Sequence, residues 1–122
     1  MIIGTGIDIV ELQRMRRMVD EWGDAFLQKV FTNQELNYAH SKANSTQHIA
    51  GRFAVKEAVA KALSTGWSGG FRWKDVEVTN DSSGKPSVKL HGAIGERIGD
   101  CKIHISISHS ENVIVAIAII ET

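Results

Sequence analysis

Apolar residues recur along the chain in two rhythms. One alternates, as on a half-buried strand; the other returns every three or four positions, as on one face of a helix. Ile2 to Val10 reads as a short, largely apolar strand in which Gly4 and Gly6 permit close backbone approach. Asp8 interrupts it between Ile7 and Ile9. Such an acid either marks the strand's exposed face or is a carboxylate held rigidly for a metal. Glu11 to Trp22 reads as a helix, with Glu11 suited to its first turn and Gly23 to its end. Leu12, Met15, Met18 and Val19 form its apolar stripe, and Arg14, Arg16 and Arg17 cluster beside it. That cluster is either a solvated face or a docking surface for an acidic partner, with methionine supplying adaptable packing. Ala25 to Val30 extends or restarts the helix.

Thr32 and Glu35 have capping-box spacing, which predicts a further helix to about Lys42. Residues 43–46 are turn-like, with a new cap at Ser45 or Thr46. The long central helix follows and ends near Ser64-Thr65-Gly66. Residues 67–71 read as a loop carrying large rings. Trp73 to Thr79 is a strand, with Val76 and Val78 on one face and Asp75, Glu77 and Thr79 on the other. The turn cluster from Asn80 to Pro86 joins it to a short strand through Val88 and Leu90, making a hairpin. Gly92 to Gly99 is a short helix. Lys102 to Ser108 alternates, with Ile103, Ile105 and Ile107 opposite His104, Ser106 and Ser108. Ser110-Glu111-Asn112 turns into Val113 to Ile120, apolar on both faces and therefore a central strand. The expected fold class is α+β: a mostly antiparallel sheet packed against a long central helix and shorter helices.

The central helix carries the densest information. From Arg52 to Leu63 it is built of strong helix formers, without internal Gly or Pro. Apolar residues cover most of its circumference, so it is expected to be buried, and Ala54, Ala58 and Ala62 let neighbouring backbones come close. Arg52 and Lys56 lie one turn apart on one seam; Glu57 and Lys61 lie one turn apart on another. Glu57 and Lys61 are either a surface ion pair or a partly buried carboxylate that needs a cation or metal beside it.

Composition narrows this picture. The 122 residues suggest a single domain spanning 1–122, and no repeat, low-complexity tract or linker divides them. Fourteen acidic and 14 basic residues argue against a general nucleic-acid binder. The lone Cys101 forms no internal disulfide, and no Cys/His cluster has zinc-ligand spacing. The N-terminus lacks a signal-peptide pattern, and the longest apolar run is too short to span a bilayer as a helix. The expectation is a soluble cytoplasmic protein without membrane partners.

Asp8 and Glu57 are candidates for an oxygen-rich site. Two carboxylates completed by phosphate oxygens and water suit Mg²⁺, and Lys61 is placed to face the same phosphates. Arg52 and Lys56 offer further positive charge, and Ser108-His109-Ser110 stands at a strand end where side chains can meet a ligand. His104 and His109 also read as ordinary histidines at a sheet margin. No G-x-S-x-G elbow supports a serine hydrolase, and no Walker A loop supports a P-loop NTPase.

Three blocks resemble one family: Gly4-Thr5-Gly6-Ile7-Asp8-Ile9-Val10-Glu11; Arg52-Phe53-Ala54-Val55-Lys56-Glu57-Ala58 with Lys61-Ala62; and Ile105-Ser106-Ile107-Ser108-His109-Ser110. Their order and spacing resemble holo-(acyl-carrier-protein) synthases, the small phosphopantetheinyl transferases. Asn80-Asp81 with Gly84-Lys85-Pro86 is similar to the family's intervening turn, and the likeness covers nearly the whole chain. The resemblance implies transfer of 4′-phosphopantetheine from coenzyme A to a serine of apo acyl carrier protein. Adenosine 3′,5′-bisphosphate is the other product, and the enzyme is implied to be a homotrimer with active sites at subunit interfaces. By the same resemblance, Asp8 and Glu57 bind Mg²⁺ and Lys61 sits near the reacting pyrophosphate. Arg52, Gly66, Pro86, Ser108 and His109 surround coenzyme A, and Arg14, Arg17 and Met18 dock the acidic carrier. Two features depart from the pattern: Ser64 stands where the family has glycine, and 42–47 is less basic than expected for holding the 3′-phosphate. Two rival readings are another Mg²⁺-dependent phosphotransferase and a non-catalytic carrier-binding module.

Overall fold

The computed structural model describes residues 1–63 and 72–122. The first strand, β1 (Ile2–Glu11), runs into helix α1 (Leu12–Val30), followed by α2 (Asn33–His40) and α3 (Ser45–Ala62). A 3₁₀ turn (Trp73–Asp75) then leads into the hairpin β2 (Val76–Asn80) and β3 (Pro86–Leu90). The chain ends with α4 (Gly92–Ile98), β4 (Lys102–His109) and β5 (Val113–Glu121). The main sheet is antiparallel in the order β1-β5-β4, so β5 is central, as its two apolar faces require. Among the described residues no helix is long and apolar enough to cross a membrane.

Helix α3 lies against one face of this sheet, and the contact explains two glycines. A Cβ at Gly4 would stand 2.0 Å from the Ala62 carbonyl oxygen, and one at Gly6 equally close to that of Ala58. Backbone therefore meets backbone, with glycine on the strand and alanine on the helix. The buried Ala116 and Ala118 of β5 continue the same small-residue surface, and Ala54, Val55, Val59 and Ala60 are buried from the helix side.

Both faces of the sheet carry apolar residues. On β1 the alternate residues Gly6, Asp8 and Val10 face the helix layer, whereas Ile7 and Ile9 are exposed at 60 % and 64 %. Asp8 therefore does not mark the solvent face. It stands on the inner side, in register with Ala116, which pairs in turn with Ile107.

Several boundaries differ from the sequence pattern. Glu11 ends β1 and precedes the first residue of α1, while Gly23 (φ 56°, ψ −139°) leaves helical geometry, so α1 is two helical segments meeting at a kink, as a stop at Gly23 and a restart after it require. The capping box at Thr32 and Glu35 is present, but α2 stops at His40. Asn44 precedes the first residue of α3, and the expected end of that helix at residues 64–66 lies outside the described residues, as does the ring-bearing loop 67–71. Trp73 to Asp75 is a 3₁₀ turn, and Glu77 is buried between Val76 and Val78.

Candidate active site

One cleft forms where β1, α1 and α3 meet. It is lined by Asp8, Glu11, Arg14, Met18, Phe53 and Glu57, among others, and encloses about 220 Å³. The strand supplies Asp8, the helix crossing behind it supplies Glu57, and the close approach at Gly4 and Gly6 holds these two elements together. Lys61 does not depend on Glu57 for its ion pair. Its Nζ donates to Asp8 Oδ1 and to the Ile7 carbonyl, each at 3.0 Å. The chemistry of the cleft is thus three carboxylates, Asp8 and Glu11 from β1 and Glu57 from α3, with the Lys61 ammonium beside Asp8. Such a set supplies only oxygen donors and fits Mg²⁺, which takes few protein carboxylates and fills its shell from phosphate and water. Among the described residues no three or more His, Cys, Asp or Glu side chains come together as a group that could hold a metal ion.

A second cleft of about 350 Å³ opens on another flank of α3. It is bordered by Tyr38, His48, Arg52, Lys85, Pro86 and His109, among others, and shares no lining residue with the first among the described residues. Arg52 is its most constrained member. Its guanidinium lies 4.5 Å from the centre of the Tyr38 ring and donates to Asn80 Oδ1. Its Nε is buried and has no hydrogen-bond partner among the described residues. Lys42 stands over the same ring at 4.9 Å. Burial, and then the charges of Arg52, Lys42 and His109, push the His48 imidazole below its ordinary pKa. Among the described residues no carboxylate lines this cleft, so it is a cationic recess with an unmatched donor.

The residues singled out by sequence thus divide into two groups. Asp8, Glu57, Arg14 and Met18 line the first cleft, with Lys61 bonded to Asp8; Arg52, Pro86 and His109 line the second. Ser108 lines neither and is exposed, paired with Val115 on the sheet face away from α3. Arg17 is exposed on α1 outside the first cleft. Gly66 lies outside the described residues. Glu11, Tyr38 and His48 border the clefts without having been singled out as site residues. Glu11 stands at the junction of β1 and α1, where it is the last strand residue and the helix N-cap, and no periodic signal distinguishes the other two.

Lys56 is a correction. It offers no charge to a ligand, because it is fully buried against the equally buried Glu35 at 2.9 Å. Its ammonium also donates to the carbonyls of Trp73 and Val76. Glu35 in turn accepts from the backbone of Thr32 and Val78 at 2.9 Å each. Glu77 joins α2 to the hairpin nearby, accepting from the Thr32 hydroxyl at 2.5 Å and bonded to His91 at 3.0 Å. Burial works to raise the Glu77 carboxyl, but these hydrogen bonds outweigh it and hold it below the ordinary range.

Residues 4–118 match the 4′-phosphopantetheinyl transferase superfamily. A holo-[acyl-carrier-protein] synthase of Geotalea daltonii is 47 % identical over 124 residues, covering 99 % of each chain. The crystal structure of a holo-[acyl-carrier-protein] synthase from Neisseria meningitidis superposes with a TM-score of 0.91 at 33 % identity, covering all of both chains. A Bacillus anthracis holo-(acyl-carrier-protein) synthase in complex with CoA (3′,5′-ADP) gives 0.84 at 38 % identity, covering 100 % of this chain and 98 % of that one.

Proposed function

We propose that this chain, which belongs to the 4′-phosphopantetheinyl transferase superfamily and is a phosphopantetheinyl transferase, moves 4′-phosphopantetheine from coenzyme A to a serine of apo acyl carrier protein in a Mg²⁺-dependent reaction. The observation that carries the site assignment is the shared cleft of Asp8 and Glu57, with Lys61 bonded to Asp8. The partner's serine oxygen forms the new bond to phosphorus, the pyrophosphate P–O bond breaks, and adenosine 3′,5′-bisphosphate leaves. Because the nucleophile comes from the partner, this chain needs no activated serine of its own. Asp8 and Glu57 are the residues that would hold Mg²⁺, whose chemistry is to polarise the pyrophosphate and neutralise charge developing in transfer. Lys61 stabilises charge on the departing phosphate or gives it a proton. The serine proton passes to a carboxylate or to water. Arg52, with its unmatched Nε, Pro86 and His109 take coenzyme A, as do Gly66 and Ser108. Arg14, Arg17 and Met18 dock the carrier.

A homotrimer with active sites at its interfaces belongs to the same reading. Its support is twofold: among the described residues the two clefts of one chain share no lining residue, and the sheet face carrying Ile7, Ile9 and Ile117 is apolar and exposed. The setting is the cytoplasm, in fatty acid biosynthesis. The test is to incubate the protein with apo acyl carrier protein, coenzyme A and Mg²⁺ and weigh the carrier. A metal-dependent mass gain of one phosphopantetheine is expected, and Glu57→Ala should slow it by about a hundredfold or more. Near-normal transfer by Glu57→Ala would remove that residue from its role, and no mass gain with the unaltered protein would overturn the activity on this carrier.

A further inference from the structure

We infer that Asn80 is a positioning residue for coenzyme A, an inference that rests on the reading of the second cleft as the coenzyme A site. Its single amide ties the Arg52 guanidinium of α3 to the hairpin turn that presents Lys85 and Pro86, and so fixes two walls of that cleft against each other. Asn80 ends β2 and itself lines the cleft, together with Arg52, Gly84, Lys85 and Pro86. Both ends of its side chain are used. Oδ1 accepts from Arg52 Nη2, and Nδ2 donates to the Gly84 carbonyl at 3.0 Å. The two ends cannot be exchanged, since a guanidinium only donates and a carbonyl only accepts.

Each partner gains something different from the tie. Arg52 is 4 % exposed, and its buried Nε has no hydrogen-bond partner among the described residues. The Tyr38 ring lies 4.5 Å from the guanidinium carbon. A ring face sets how far a guanidinium stands off, but a hydrogen bond also sets how it is turned, and Asn80 Oδ1 supplies that direction. The turn is shaped from within. Asp81 Oδ1 accepts from the backbone of Ser83 at 2.9 Å and of Lys85 at 3.0 Å, and from the Ser83 hydroxyl at 2.6 Å. The Asp81 backbone N–H donates to the Lys85 carbonyl at 3.0 Å. These bonds give the turn its form, and Asn80 carries that form to α3.

Aspartate has nearly the same shape as asparagine and would still accept from Arg52. It could not donate to Gly84, so two acceptors would face each other across that contact. It would also bring a negative charge into a recess lined by no carboxylate among the described residues, where coenzyme A must place phosphates.

The test is calorimetric titration with coenzyme A beside steady-state transfer to apo acyl carrier protein with Mg²⁺. Asn80→Asp should raise the coenzyme A Kd and KM about tenfold while kcat, the carrier KM and the melting temperature hold. Asn80→Ala should raise the coenzyme A Kd about fivefold. In an Arg52→Ala background the same change should cost less than about twofold, because the tie is already lost at its other end. An unchanged coenzyme A Kd in Asn80→Asp overturns the inference. A melting temperature lowered by about 5 °C or more, with kcat falling alongside, assigns the amide to the fold and also overturns it. Equal costs of Asn80→Ala in the two backgrounds overturn its action through Arg52. Failure of the unaltered protein to bind coenzyme A overturns the reading of the second cleft and this inference with it, whereas binding without transfer overturns the transfer reading alone.

Discussion

Lys56 and Glu57 are neighbours in sequence with opposite fates. The helix turns by about 100° between them, which takes Lys56 into the core and Glu57 to the rim of a cleft. Lys56 is held by Glu35 and two backbone carbonyls, so its charge is matched from three elements. Burial still lowers its pKa, with Glu35 acting in the opposite direction. The pair's net worth is smaller than its geometry suggests, since two charges had to leave water. Removing one partner is a different matter. Lys56→Met keeps the volume but leaves Glu35 buried and uncompensated, and urea denaturation should show a loss of about 3–5 kcal/mol. The double variant Glu35→Gln, Lys56→Met should be less destabilised than the sum of the two singles, because the pair is coupled.

At the level of elements, the contact of β1 with α3 decides where the carboxylates stand. Gly6 and Gly51 make contrasting tests. A Cβ at Gly6 would stand 2.0 Å from the Ala58 carbonyl oxygen, an atom of the helix backbone that cannot step aside. Gly6→Ala should push strand and helix apart and cost about 3 kcal/mol or more in thermal or urea unfolding. Gly51 lies inside α3, and a Cβ there would find only Ile107 methyls at 3.9 Å and 4.0 Å. Gly51→Ala should therefore raise stability by about 0.5–1 kcal/mol, since alanine loses less backbone freedom on entering a helix. The presence of these elements was legible from periodicity, and so was the capping box at Thr32. Their ends were less so. Glu11 fits a helix start on local charge, yet the β1 ladder with β5 extends through it to Val113, and pairing across the sheet outweighs the local preference.

For the whole molecule, the open question is what covers the outer face of the sheet. Ile7 pairs with Ile117 on that face, and both are exposed in the single chain. In the proposed homotrimer this face is buried between subunits. Light scattering after size exclusion should then give about three times the 13.4 kDa chain mass. Ile117→Lys should shift that mass toward the monomer and abolish transfer, because a charge would have to enter the interface. A monomeric unaltered protein that transfers normally would remove the trimer from the reading.

Local sequence determined the α+β class, the central place of β5, the buried α3 and the membership signalled by three motif blocks. Each rests on periodicity or on residue types at short fixed spacing, which one segment can carry by itself. Tertiary structure alone decided which side of β1 bears Asp8. A lone acid between two isoleucines is compatible with either face until the helix that packs on one of them is known. It also decided that Lys61 bonds Asp8 and that Lys56 is sealed against Glu35, at separations of 53 and 21 residues that no helical spacing reports. The separation of the candidate site into two clefts follows for the same reason. Residues of one helix share a seam in sequence, but the elements packed on each side of that helix assign them to different chemistry.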